Sequence, residues 1–140
     1  MQSKEGKVIL IKKTLTCATL FAILDSLWFS FFMKDFAQDS IALHLRFDGG
    51  SLETNYLAAL IAYLLMIIMA VMFLSPVIES KGSNIQVLSL GFIFGFCLFG
   101  VFDFTNVALM NNYPWNFALI DSSWGGVMYS IVGLSLKKLT

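Results

Sequence analysis

Four long apolar stretches constrain this chain more than any other feature: about 14–32, 55–78, 85–109 and 114–136. A bilayer's hydrocarbon core is about 30 Å thick and takes roughly 20 apolar residues of helix to cross. Each stretch comes to that length. Inside hydrocarbon every backbone polar group must be satisfied within the structure, which leaves helices or closed barrels. Barrel strands would be about half as long and would alternate in polarity, and these stretches do neither. Composition agrees, since 58% of the 140 residues are hydrophobic, 13% are charged and mean hydropathy is +0.79. A soluble domain of this size would leave much of that apolar surface facing water. The reading is all-α, an integral membrane four-helix bundle forming a single transmembrane domain over 1–140, with an outer loop at 33–54.

The span boundaries carry matching punctuation. Thr54 or Asn55 can cap the second helix, and Pro76 sits near its end. Gly82, Ser83 and Asn84 make the turn into the third, and Pro114 suits the first turn of the fourth. Lys4, Lys7, Lys12 and Lys13 before an apolar run resemble the start of a secretory signal. The run continues to Phe32, however, and bulky Phe31, Phe32 and Met33 stand where cleavage needs small residues, so an uncleaved span is expected.

Orientation follows from Lys and Arg in short loops. Lys4, Lys7, Lys12, Lys13, Lys81, Lys137 and Lys138 fall on one side, and only Lys34 and Arg46 on the other. That bias puts the N- and C-termini in the cytoplasm. The outer loop contains Ile41–Phe47, whose alternation suggests an interfacial segment or a short strand, followed by the turn signal Asp48-Gly49-Gly50. His44 is the only histidine and reads as solvated or interfacial, because a lone histidine makes a poor metal site. Cys17 and Cys97 differ in depth by roughly 12 Å at ~1.5 Å per helical residue, too far for a disulfide. Both read as packing residues.

Three acids fall inside the spans. Asp25, Asp103 and Asp121 lie on the first, third and fourth helices, each about 10 Å below the outer surface at ~1.5 Å rise per residue. No Lys, Arg or His lies inside a span to neutralise them. An ionised Asp at a helix centre costs about 2.5–3.5 kcal/mol on insertion scales, somewhat less at this depth, so these residues should face the interior or a wet cavity. If they converge, they share protons as a coupled set. Otherwise the missing positive charge comes from a bound cation, a basic ligand or a partner.

Asp25-Ser26-Leu27-Trp28 and Asp121-Ser122-Ser123-Trp124 share the pattern Asp-Ser-x-Trp, which puts each Trp on its Asp's helix face. Trp28 also fits an ordinary interfacial belt residue, whereas the deeper Trp124 needs a partner for its N–H. Asp103 and Asn106 repeat the three-residue spacing. The candidate pocket is therefore Asp25, Trp28, Asp103, Asn106, Asp121 and Trp124. The alternative is that these polar groups only bond across helices as packing glue. Gly91 and Gly95, and the stripe Ala118, Ser122, Gly126, Ser130 and Gly133, let backbones approach closely. The GxxxG pair is expected to serve an internal contact.

The run Phe99-Gly100-Val101-Phe102-Asp103-Phe104-Thr105-Asn106-Val107-Ala108-Leu109, then Pro114 and Ile120-Asp121-Ser122-Ser123-Trp124-Gly125, resembles the predicted membrane proteins called domain of unknown function 2177. Those proteins show a Tyr-Asp-x-Thr-Asn-x-Ala run and then Asp-x-x-Trp-Gly. Leu24-Asp25-Ser26-Leu27-Trp28 is similar to their Leu-Asp-x-x-Trp. Phe102 departs from the pattern, standing where the family usually has Tyr. The resemblance implies a small bacterial four-helix membrane protein, placed in the cytoplasmic (inner) membrane, and implies no particular activity.

The leading functional expectation is binding or transport of a proton, cation or small amine through an outward-facing pocket lined by the aspartates. An accessory or enzymatic role in membrane lipid metabolism ranks lower, because no nucleophile–His pair or phosphate-binding glycine loop is present. A third reading is a structural subunit whose acids meet basic residues of a larger complex. Neither a cofactor nor a metal is expected. Partners are membrane lipid and further copies or other subunits; nucleic acid is not among them, since the basic clusters are short and flank the apolar stretches.

Overall fold

The computed structural model describes residues 4–32, 35–36 and 38–140. Met33 and Lys34, used above for the cleavage and charge arguments, lie outside the described residues. The fold is mostly helical: α1 (Lys4–Phe31), a short α2 (Gln38–Ile41), α3 (Tyr56–Ile68), α4 (Ser75–Glu79), α5 (Asn84–Leu109) and α6 (Trp115–Lys137). Among the described residues, three helices are long and apolar enough to cross a membrane: the continuous rod Tyr56–Glu79, which joins α3 and α4, then α5 and α6. Lys4–Phe31 carries Lys4, Glu5, Lys7, Lys12 and Lys13 in its first third and Asp25 further on.

Local chemistry sets the helix ends. Asn55 caps α3, its side chain accepting from Ala58 N at 3.0 Å. Ser83 caps α5 in a reciprocal capping box with Gln86, a stronger start signal than the turn residues alone. Pro114 is itself the cap of α6, one position before the first turn. Pro76 sits near the end of the rod, as expected, and the helix passes through it to Glu79. The stretch Met69–Leu74 widens to π-helical spacing, and Ser75 N bonds to Ala70 O five residues back. Proline has no N–H and crowds the carbonyl four residues before it, so the wider turn lets the rod continue through Pro76.

Of the alternating segment Ile41–Phe47, Ile41 ends α2 and Ala42–His44 form a 3-10 turn, so the short-strand alternative holds only at its end. Only Phe47–Asp48 (β1) is strand, paired antiparallel with Ser51–Leu52 (β2). Gly49 and Gly50 between them have φ of 57° and 86°. Two consecutive positive φ values define the hairpin turn whose twist matches the strands, and glycine adopts them without strain.

The helix α6 is central. Its buried residues run from Phe117 to Leu136, and α5 lies closely along it. A Cβ on Gly91 would sit 2.5 Å from Tyr129 O, and one on Gly95 would overlap the Gly125 carbonyl. Ser130 Oγ bonds to Leu88 O and Gly126 O, both at 2.9 Å. The GxxxG pair thus faces α6. From α1 a single stripe is buried: Lys13, Cys17, Phe21, Leu24 and Trp28, the three-and-four spacing of one helix face. The other faces carry exposed Leu, Phe and Ile, a surface suited to lipid rather than water. Cys17 is buried and packs, but Cys97 is exposed, which corrects the packing role expected for it.

Candidate binding cavity

Depth is set by helix geometry. Asp25 lies six residues before Phe31, Asp103 six before Leu109 and Asp121 six after Trp115. The two Asp-Ser-x-Trp patterns meet. Trp28 and Trp124 stack with centroids 5.0 Å apart and an interplanar angle of 11°. Phe32 stacks on Trp28 at 4.8 Å. With Trp28 only 6% exposed, it serves as an inward-facing wall rather than a belt residue.

Beside this stack lies a cavity of about 470 Å³, between α1, α3 and α6. Asp25, Trp28, Asp121 and Trp124 line it, as do Tyr63 from α3 and Phe99 from α5. Leu52 and Thr54 of the outer loop reach it as well. Among the described residues, no Lys, Arg or His lines it. The outer half of the second rod is what leaves the space: α3 has no buried residue, whereas Ala70, Val71, Leu74, Ser75 and Ile78 beyond it are buried. Tyr129 OH donates to Met66 O at 3.1 Å, just before the π turn.

Each acid has a different setting. The Tyr63 hydroxyl lies within interaction range of the Asp25 carboxyl. Trp124 Nε1 lies within electrostatic reach of Asp25 but closes no hydrogen bond of normal geometry. It is the one buried polar side-chain atom without a partner among the described residues. Asp121 interacts with both other acids, electrostatically with Asp25 and in direct contact with Asp103.

Asp103 and Asn106 do not line the cavity. Asp103 is fully buried behind Asp121; its Oδ1 accepts from Tyr113 OH at 3.0 Å and its Oδ2 from Ser122 Oγ at 3.3 Å. Asn106 is buried next to Tyr113. Burial pushes the Tyr113 phenol up from its ordinary value, so it stays a hydrogen-bond donor. Asn112, at φ 62°, turns the chain between α5 and α6 ahead of Tyr113, a conformation asparagine tolerates. The outer loop covers this end. Ile41 packs with Tyr113 and Phe117, and the His44 ring lies 5.6 Å from that of Tyr113.

Ser122 and Ser26, equivalent in the two patterns, differ in role. Ser26 bonds back to Ala22 O on an exposed face, while Ser122 serves Asp103. Tyr63 and Tyr113 were not singled out from the sequence. A tyrosine hydroxyl in or beside an apolar span needs a partner, and that signal pointed to both.

A family model described as "Predicted membrane protein (DUF2177)" matches residues 10–136. The chain belongs to this family. No curated protein and no solved structure matches the chain. The DUF2177 match takes in α5, α6, all but the first residues of α1, and hence every residue of the cavity. Phe102, the departure from the DUF2177 pattern noted above, is 64% exposed and does not face Asp103; the phenol at that acid comes from Tyr113.

Proposed function

We propose that this is a four-span protein of the bacterial cytoplasmic membrane, with both termini inside, that binds a cation or small amine in a cavity facing outward. In this reading α1 is the fourth span, its lysine-rich start lying at the inner surface. Contacts at the inner end support the arrangement. Lys13 Nζ pairs with Glu79 Oε1 at 2.5 Å, and Lys137 Nζ bonds to Gly82 O and Asn84 Oδ1, both at 3.0 Å. Lys13 of α1 and Lys137 of α6 thus approach the loop that carries Lys81.

One observation carries the binding reading. Asp25 and Asp121 line one largely apolar cavity that has no basic side chain among the described residues. A carboxylate taken out of water is costly unless paired, and a bound cation offsets that cost. Among the described residues, Lys13 is engaged by Glu79 and Lys137 by Gly82 and Asn84, away from the cavity. Full burial of Asp103 within the chain disfavours the subunit reading for that residue, since a partner's basic group could not reach it.

The test is calorimetric titration of methylammonium into the protein in lipid nanodiscs. Saturable binding weakened about tenfold or more in Asp25→Asn and Asp121→Asn supports the reading, given that a paired, desolvated charge is worth above about 1.4 kcal/mol. Affinity equal in wild type and both variants contradicts it.

A further inference from the structure

The same cavity carries an inference about the chemical class of its ligand, which rests on the binding reading above. We propose that the ligand is an organic cation with an apolar body, a tertiary or quaternary ammonium, seated with its charge at Asp25 and Asp121 and its hydrocarbon against the Trp28–Trp124 stack.

Size is the first argument. The cavity holds about 470 Å³, within the roughly 300–1,000 Å³ typical of small-molecule sites. A bare ion or a one-carbon amine would leave most of it unfilled. The lining is the second. Apart from the two carboxyls, Tyr63 and Thr54, the walls are hydrocarbon or aromatic. Aromatic faces attract cations through the ring quadrupole, Trp most of all, and a weakly hydrated ammonium loses less on leaving water than a metal ion does.

The donor set is the third argument. Among the described residues no three His, Cys, Asp or Glu side chains converge closely enough to hold a metal. The buried Trp124 Nε1 is the fourth. It belongs to a cavity wall, sits beside Asp25 and has no partner, so the polar side of the cavity is incomplete as it stands. A cation drawn to Asp25 re-aims that carboxyl and allows the indole N–H to close on it. The wall toward α3 is also thin. Ala59 and Ala62 form part of it, and Ala62 is exposed on its outer side. An amphiphilic ligand therefore has a short way in from the outer leaflet.

The experiment compares four probes on the full chain in nanodiscs: phenyltrimethylammonium, its uncharged isostere tert-butylbenzene, tetramethylammonium and sodium ion. The expected result is that phenyltrimethylammonium binds about tenfold or more tighter than tetramethylammonium, the difference a desolvated aromatic contact supplies. It should also not be displaced by tert-butylbenzene, and it should quench tryptophan fluorescence in wild type but not in Trp124→Phe/Trp28→Phe. Because the probes are compared on wild-type protein, the outcome does not depend on whether a variant folds. Equal binding of the two ammonium ions, or preference for sodium, overturns the ligand class while leaving a cation site in place. Displacement by the neutral isostere overturns it as well, and absence of binding by all three cations removes both the class and the site.

Discussion

The indole rings of Trp28 and Trp124 lie 5.0 Å apart and nearly parallel, tying the first long helix of the chain to the last. Each ring follows an aspartate by three residues on the same helix face, so the stack also fixes where Asp25 and Asp121 stand. Removing the ring should therefore act on stability and on the cavity together. Trp28→Ala is expected to destabilise the protein by about 3 kcal/mol or more, read as a lowered unfolding midpoint in detergent. Trp124→Phe keeps an aromatic surface and removes an N–H that has no partner. Its midpoint should stay unchanged or rise, since an unsatisfied buried donor disappears.

The contact between α5 and α6 depends on backbone proximity. Gly95→Ala places a methyl group into the Gly125 carbonyl, and backbone cannot swing aside as a flexible side chain could. The expected loss is at the upper end of the about 1–3 kcal/mol seen for overpacking. Gly82→Ala, with nothing within 4 Å of the added carbon, should leave the midpoint unaltered. Thermal unfolding of the two variants side by side checks both.

Around Asp103 the prediction is one of coupling. Tyr113→Phe and Ser122→Ala each remove one donor to a fully buried carboxyl. Each should cost about 1–3 kcal/mol. Asp103→Asn should change what those losses amount to, because all three groups share one network. A double-mutant cycle that returned simple additivity would show that the hydroxyls do not support the acid.

The Lys13–Glu79 pair joins an exposed carboxylate to a largely buried ammonium, 43% and 11% exposed. Glu79→Gln leaves that ammonium without its partner, so it is expected to lower the unfolding midpoint. A midpoint equal to wild type would show that the pair is screened like a surface bridge. Topology is checked with an impermeant thiol reagent on intact cells. In a Cys97→Ser background, His44→Cys should label from outside and Lys81→Cys only after permeabilisation.

Much of this architecture is legible in the residues. The helix-length apolar runs, the cap at Asn55, the Gly49–Gly50 turn and the close approach through Gly91 and Gly95 all follow from local rules that need no tertiary knowledge. The common depth of three acids follows from counting residues along helices. Counting along helices does not say which way a helix is rotated. Asp103 and Asn106 therefore shared a depth with Asp25 and Asp121 without sharing their cavity. The neighbour of Asp25 came from α3, where Tyr63 is the one phenol in the apolar run from Leu57 to Leu74. Pro76 does stand near the end of its rod, but the widened turn that accommodates it is a response of the backbone that no residue pattern announces. The helical start of the outer loop was hidden because Ile41–His44 packs on Tyr113, a contact no periodicity reveals.

The central claim is that Asp25 and Asp121 hold a cation between α1, α3 and α6. A structure determined in lipid with 4-bromophenyltrimethylammonium, located by the anomalous signal of its bromine, tests it most directly. The account predicts the ammonium carbon shell within about 4–6 Å of both carboxyls, the range over which opposite charges act strongly, with the bromophenyl ring against Trp28 or Trp124. Bromine found only on the lipid-facing surface, or a cavity filled with the cation well away from both acids, would contradict it.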